Sequence, residues 1–372
     1  MKKSLGIVVR LVVVFALLYC FLVSIKLMGA SFKGFGKEFA ENLIKTTNNP
    51  FVGLFIGILA TSLVQSSSTT TSVVVGLVGA GVLEIGHAIP IIMGANIGTT
   101  VTNTLVSLGH VSRRDEFRRA ISAATVHDFF NLICVAIMFP LELATGFLQK
   151  LATSLSSLVS MGEGGTFNSP IKMVVTPAVK GIQHVAEAMS GSEHASYIIM
   201  LIVSFLLLFF SLYFIVKVMK SIVVNRAEIV LDNVISRHAF LGFLAGLAFT
   251  IIVQSSSITT SLLIPLVASG ILTVEAAFPM TIGANIGTTT TAILASLATG
   301  NANAVIIALV HFLFNLIGAV VIYPIPIFRA IPISLAKSLG DMAAEKRRYA
   351  FFYVLGLFFV VPGLLIGISK LF

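Results

Sequence analysis

Long apolar runs separated by short polar breaks dominate the chain. The runs Ile7 to Ala30, 120–143, 196–216, 303–325 and 349–369 each reach the roughly 20 residues a bilayer-spanning helix needs. Two regions differ. Residues 51–63 and 69–83 are apolar but too short to span, and Gln65-Ser66-Ser67-Ser68-Thr69-Thr70-Thr71-Ser72 separates them. The same interruption recurs between 242–253 and 258–271, at Gln254-Ser255-Ser256-Ser257. This pattern predicts five continuous spans and two re-entrant hairpins, with the helices 88–109 and 275–298 that follow the hairpins crossing as well. The first run follows Lys2 and Lys3 but is longer than a signal-peptide core and has no small-residue cleavage site after it, so a retained helix is expected.

The chain repeats itself. A shift of 189 residues lays Gln65–Ser68 on Gln254–Ser257 and Gly94-Ala95-Asn96-Ile97-Gly98-Thr99-Thr100 on Gly283-Ala284-Asn285-Ile286-Gly287-Thr288-Thr289. Between 53–109 and 242–298, 28 of 57 positions are identical without a gap, which chance does not produce. A five-residue deletion then aligns Val126-His127 with Val310-His311, Asn131 with Asn315 and Pro140 with Pro324. The connection 110–119 carries Arg113, Arg114, Arg118 and Arg119 and is placed in the cytoplasm by the positive-inside tendency. Its counterpart near Ala298 to Asn303 carries no charge, so equivalent loops face opposite sides. That marks an inverted-topology repeat. Counting crossings from there puts Lys217, Lys220, Arg226, Arg237, Arg329, Lys337 and Lys346–Arg348 inside and Phe372 outside.

Composition agrees. Of 372 residues 57% are hydrophobic and 10% charged, with mean hydropathy +1.03, against roughly 25% charged in soluble domains. The fold class expected is an all-α polytopic membrane protein of two inverted repeats, each with a re-entrant helical hairpin and a broken transmembrane helix. Residues 1–145 form the first repeat and 196–328 the second. Residues 329–372 supply a basic loop and a final helix. Between the repeats, 146–195 reads as an extracytoplasmic loop, with Gly162, Gly164, Gly165, Asn168 and Pro170 as turn formers. The net charge of +9 comes from short loops without interleaved aromatics, which argues against nucleic acid. Cys20 and Cys134 lie in apolar runs and read as small hydrophobes.

A run such as QSSSTTTS is costly at bilayer depth unless each group finds a partner. Two opposed copies can meet near the midplane, where repeat-built transporters place their substrates. Hydroxyl and amide oxygens suit sodium, hydroxyl hydrogens suit an oxyanion, and hairpin tips expose helix N-termini to an anion. The alternative is that Ser and Thr bond back to their own helix and let helices pack. The glycines of GANIGTT, with Pro90 and Pro279 four residues upstream, read as sites of unwinding that free carbonyls for a cation, or else as packing glycines. Asp128, whose repeat partner is Phe312, marks a cation site in one repeat, unless it sits at the interface near Arg118 and Arg119. The duplicated His127 and His311 suggest a shared structural hydrogen bond. Glu84 and Glu275 fall at span ends.

With these motifs, and with Glu116–Ala120, Ala124–Asp128 and more loosely Pro332–Tyr353, the chain resembles the type II sodium-phosphate cotransporter family. The resemblance covers nearly the whole chain except the central loop, which is short here. It implies sodium-driven uptake of inorganic phosphate by alternating access, without covalent chemistry; the compact loops suggest a cell (plasma or inner) membrane. Carried over residue by residue, phosphate falls to Gln65, Ser66, Ser67, Gln254, Ser255 and Ser256, with Asn96 and Asn285 as weaker additions. Sodium falls to Gln254, Ser255, the Ala284 carbonyl, Thr288 and Thr291, with Asp128 and the repeat-related Gln65, Thr99 and Thr102. Mammalian members have serine where this chain has Ala284, so one hydroxyl ligand is lost. Electrogenic members carry the aspartate found here as Asp128, which implies an additional sodium and divalent phosphate. They tend to have alanine where Ser122 stands.

The partners expected are therefore phosphate, sodium and the bilayer, and the oligomeric state, a homodimer included, stays open. Two other readings remain. The first is sodium-coupled transport of another small anion. The second is a membrane phosphate sensor whose basic linker 217–238 docks a cytoplasmic partner. A hydrolase using a QSSS serine is disfavoured because adjacent His127 and Asp128 point about 100° apart on a helix.

Overall fold

The computed structural model describes residues 2–159, 170–234 and 239–369, with side chains over 8–157, 170–221 and 239–369. The turn formers Gly162, Gly164, Gly165 and Asn168, and the linker's Arg237, lie outside the described residues, as does the side chain of Arg226. Among the described residues the chain is helical without strands. Six helices are long and apolar enough to cross a membrane: Val8–Gly34, Ile85–His110, Arg114–Thr145, Glu193–Ser221, Ala302–Ile322 and Arg348–Ser369. The protein is a multi-pass, all-α membrane protein.

In chain order, α1 (Lys2–Gly34) leads to a short α2 (Gly36–Thr47) and then to the first hairpin, α3 (Pro50–Val64) and α4 (Ser67–Gly79). Next come α5 (Ile85–Gly98), α6 (Val101–Ser107), α7 (Arg114–Thr145), α8 (Phe147–Val159), α9 (Pro170–Met189) and α10 (Glu193–Val234). The second hairpin is α11 (Ala239–Val253) and α12 (Ser256–Ala268), followed by α13 (Val274–Thr299), α14 (Ala302–Ile322), α15 (Pro326–Glu345), α16 (Arg348–Leu355) and α17 (Val361–Ser369). A single π-helical turn, Gly356–Val360, joins the last two.

The first arm of each hairpin packs on the crossing helix of its own repeat, α3 on α5 and α11 on α13. The second arm packs across, α4 against α13 and α14, and α12 against α6 and α7. Two side chains fix these exchanged arms. Arg119 Nε donates to the Ala268 carbonyl at the end of α12 (2.8 Å), and Asn301 Nδ2 donates to the Gly79 carbonyl at the end of α4 (2.9 Å). Each satisfies a carbonyl that a helix end leaves open. Gly79 lies just before the start of the α5–α6 crossing, whereas Arg119 follows its end. The two hairpins therefore enter from opposite sides, as an inverted repeat requires.

The glycines of GANIGTT resolve in favour of packing. A Cβ on Gly94 would overlap the Leu54 carbonyl oxygen, and one on Gly283 the equivalent Phe243 oxygen; Gly57 and Gly246 stand against the Ile91 and Met280 oxygens in the same way. Glycine at four-residue spacing on both partners lets the helix backbones touch. Accordingly the expected unwinding is confined to the first repeat, a two-residue break at Thr99-Thr100, while α13 runs unbroken through its copy of the motif. Overpacking typically costs ~1–3 kcal/mol where side chains can yield, and here only backbone is available to move. Gly283→Ala is expected to eliminate the monodisperse, cooperatively unfolding species in detergent. Gly86→Ala, whose Cβ meets nothing, is expected to leave it intact, and equal behaviour of the two variants would refute the packing role.

Two stretches expected as loops are helical. The described parts of 146–195 form α8 and α9, with Leu148 and Ala152, then Val175, Val179 and Ala186, buried at helical spacing. Glu142 starts α8 by accepting from Leu148 N (2.6 Å) and Gln149 N (3.3 Å). The basic stretch after 329 lies largely within α15, which packs along the start of α7. There a Cβ on Gly340 would strike Ser122 Oγ.

Candidate functional site

Each hairpin turns on a glutamine. Gln65 (φ 56°) and Gln254 (φ 59°) are the two described non-glycine residues in the left-handed region, where such a residue is uncommon and strained. Each amide closes the preceding helix with a 2.7 Å bond, Gln65 N to the Thr61 carbonyl and Gln254 N to the Thr250 carbonyl. The next residue reverses into extended backbone and caps the second arm. Ser66 Oγ accepts from Thr69 N (3.2 Å), and Ser255 Oγ from Ile258 N (3.4 Å). The following first-turn amides, Ser67 and Ser68 in one repeat and Ser256 and Ser257 in the other, have no partner within their helices.

The two tips meet. Gln65–Thr69 and Gln254–Ser257 line one cavity of about 260 Å³, closed on another side by Phe209, Leu212, Tyr213 and Val216 of α10. Of the residues assigned to phosphate, the structure brings together Gln65, Ser66, Ser67, Gln254, Ser255 and Ser256. Two helix N-termini with their hydroxyls, and among the described residues no basic side chain, face this space, a set of donors suited to a small oxyanion. Several neighbouring hydroxyls bond to their own helices, including Thr70 to the Ser66 carbonyl and Thr71 to the Ser68 carbonyl. For those, the back-bonding alternative is the one realised.

Asn96 and Asn285 do not line the cavity. They belong to a buried cluster of four asparagines. Asn285 Nδ2 donates to Asn131 Oδ1 (2.9 Å) and Asn315 Oδ1 (2.6 Å), and Asn315 Nδ2 donates to Asn96 Oδ1 (3.1 Å). Asn131 Nδ2 donates to the Asn96 carbonyl (2.7 Å). The cluster ties one repeat to the other, and its only sequence signal was that both asparagines of each repeat recur in register.

The residues assigned to sodium fall into two hydrogen-bonded groups along α13 of the second repeat. Gln254 Oε1 accepts from Thr291 Oγ1 (2.8 Å), Gln254 Nε2 donates to Thr290 Oγ1 (3.2 Å), and Thr288 Oγ1 donates to the Ala284 carbonyl (3.1 Å). Ala284, Thr288 and Thr291 share one face of α13. Thr291 also approaches Ser68 Oγ of the opposite tip (3.5 Å). The first repeat copies this incompletely. Thr99 donates to the Ala95 carbonyl (2.9 Å), but Thr102 Oγ1 is buried without a partner, and Gln65 is exposed. Val101 occupies the position of Thr290, so Gln65 has no hydroxyl to hold its amide.

Asp128 is fully buried in α7. Its Oδ2 accepts from Tyr353 Oη of α16 (2.9 Å), while Oδ1 has no partner. Among the described residues no Lys or Arg pairs with it; the ion pairs are Arg113–Glu116, His110–Glu116, Arg118–Asp341 and Lys337–Glu275. Tyr353 was not legible as a partner, being 225 residues away. His127 lies beside Asn285, yet neither of its ring nitrogens, nor His311 Nδ1, has a hydrogen-bond partner. The shared structural bond expected of the two histidines is not made. A larger cavity of about 460 Å³ lies between the open end of the second hairpin, α7 and α15, bordered by Arg118, Arg119, Glu275 and Lys337. None of the assigned site residues lines it.

A sequence profile described as Na+/Pi-cotransporter matches residues 20–162 and 177–324, taking in both hairpins. Sodium-dependent phosphate transport protein 2B of Homo sapiens is 35% identical over 450 aligned positions, covering 97% of this chain and 65% of the human protein. Protein 2A of Ovis aries is 35% identical over 425, covering 95% and 66%, and protein 2A of Rattus norvegicus is 34% identical over 423. The chain thus spans about two-thirds of the length of these relatives. No solved structure matches. With both hairpins inside the profile and a third of the residues shared along nearly its full length, the chain belongs to the Na+/Pi-cotransporter family.

Proposed function

We propose that the chain is a secondary active transporter that carries inorganic phosphate together with sodium by alternating access. The observation that carries this reading is the single cavity at which the two opposed helix N-termini converge. Its donors are amides and hydroxyls rather than fixed cations. Phosphate bound there needs positive charge from elsewhere, and co-transported sodium supplies charge that leaves with the substrate. Gln254, the Ala284 carbonyl, Thr288 and Thr291 hold one sodium beside the tip, with Ser255 contributing from the hairpin, and Asp128 holds a further one. The names of the relatives, sodium-dependent phosphate transport proteins, agree with this cargo.

Residues 1–145 and 196–328 act as the two repeats of the transporter, in an orientation that places the arginine-rich 110–119 connection in the cytoplasm. The experiment is labelled phosphate uptake into proteoliposomes under an imposed sodium gradient and a clamped potential. Concentrative uptake that requires sodium and grows with an inside-negative potential supports the whole reading. Uptake indifferent to potential would remove the electrogenic part, and phosphate binding without uptake would replace the transporter with a sensor.

A further inference from the structure

The wall of the two-tip cavity is uneven. Opposite the polar tips, α10 presents Phe209, Leu212, Tyr213 and Val216, an i, i+3, i+4, i+7 face that is apolar except for one phenol. These residues centre roughly 8 Å beyond the midpoint of the Glu193–Ser221 span, at 1.5 Å per residue. The antiparallel α1 gives the same offset independently. Its residues Leu11, Val14, Phe15, Leu18 and Phe21 line a smaller apolar chamber that Gln254 and Thr291 also border, centred roughly 8 Å from the midpoint of Val8–Gly34 toward the N-terminal end. Arg10 donates to the Ser221 carbonyl at that end (3.3 Å), so both offsets point to the same side. That side carries the basic residues assigned to the cytoplasm.

One helical turn past Tyr213 stands Lys217. It is exposed, with its ammonium 5.8 Å from the Tyr213 ring centre and 5.6 Å from that of Phe214. No carboxylate pairs with it among the described residues. Arg10 and Lys220 lie at the same end of the α1–α10 pair, whereas no basic side chain among the described residues lines the cavity itself. The path outward along α10 therefore runs from hydroxyls and amides, across an aromatic and aliphatic wall, to cations that no described carboxylate neutralises.

We infer that Tyr213 and Lys217 form the cytoplasmic mouth of the cavity, with Lys217 the cation that draws the departing anion off the two tips. The inference rests on the phosphate reading above and adds to it a direction and a residue. A fixed cation outside the binding cavity accelerates exit without holding the anion as a buried one would, and such steering weakens as salt rises.

The test uses the full chain in proteoliposomes and follows exchange of labelled against unlabelled phosphate. Lys217→Gln is expected to slow exchange about tenfold at low ionic strength, with the sodium half-saturation unchanged. The difference should shrink as ionic strength rises, and Lys217→Arg should restore the rate. In parallel, Tyr213→Cys with Cys20 and Cys134 replaced by alanine is expected to react with a membrane-impermeant thiol reagent from the cytoplasmic face, and phosphate should protect it. Exchange in Lys217→Gln equal to wild type, or a slowing independent of salt, would overturn the role of Lys217 while leaving the phosphate reading intact. Reaction at position 213 only from the outer face would overturn the direction. A wild-type protein that exchanges no phosphate would overturn both the inference and the reading beneath it.

Discussion

Gln254→Leu is expected to weaken sodium activation of uptake on the order of 10- to 100-fold, while Gln65→Leu is expected to change it by less than about threefold. The two glutamines occupy equivalent positions in sequence and share the same left-handed backbone. What separates them is the company of their side chains. Gln254 is held between Thr290 and Thr291, and its amide oxygen is aimed at the face bearing Thr288 and the Ala284 carbonyl. In the proposed sodium site, losing it removes a cation ligand, and it leaves the Thr291 hydroxyl without its acceptor. An unsatisfied buried polar group costs about 1–3 kcal/mol, which brackets the expected change at 1.4 kcal/mol per tenfold. Gln65 has Val101 where Thr290 would stand and makes no side-chain hydrogen bond among the described residues, so its loss disturbs little that binds a cation. Phosphate affinity at saturating sodium should respond to both variants, because both tips border the cavity. Sodium-activation curves for the two variants are the measurement, and equal losses would refute a site seated in one repeat.

The tips were legible because re-entrant hairpins leave a coarse mark: apolar segments too short to span, split by a polar run and repeated at a fixed offset. The glycines were ambiguous for a physical reason. A residue without a side chain serves a broken helix and a touching pair of helices equally well, and only the carbonyls facing Gly94 and Gly283 decide between them. α8 and α9 were hidden by their moderate polarity, since a search for spans passes over helices that bury one face and expose the other. The asparagine cluster and the Tyr353–Asp128 bond depend on residues far apart in sequence. Asn131 and Asn315 could have been found from their duplication, but nothing local marks Tyr353. The asymmetry between the sodium-binding faces was present in the sequence as Val101 against Thr290. Its consequence appears only once the glutamine side chains have positions.

Asp128→Asn is expected to abolish net charge movement per phosphate while sodium-dependent uptake continues. The carboxylate is fully buried, receives one neutral hydrogen bond from Tyr353 and leaves Oδ1 without a partner. An intramembrane carboxylate so placed is expensive unless a cation joins it, and sodium bound at Oδ1 meets that need. Divalent phosphate moving into a cell held negative inside climbs about 2.3 kcal/mol per charge per 100 mV. On the electrogenic reading proposed above, three sodium ions reverse the sign of the charge carried, and the potential then drives uptake. Removing the one sodium that depends on Asp128 leaves two positive and two negative charges, so the cycle becomes electroneutral. Asparagine has nearly the same shape and can still accept from Tyr353, so the variant is expected to fold and to keep the two-tip cavity. Simultaneous current and labelled-phosphate measurements under voltage clamp read the ratio directly. Current per phosphate unchanged in Asp128→Asn would show that the additional sodium binds elsewhere, and Asp128 would then be a structural anchor for α16.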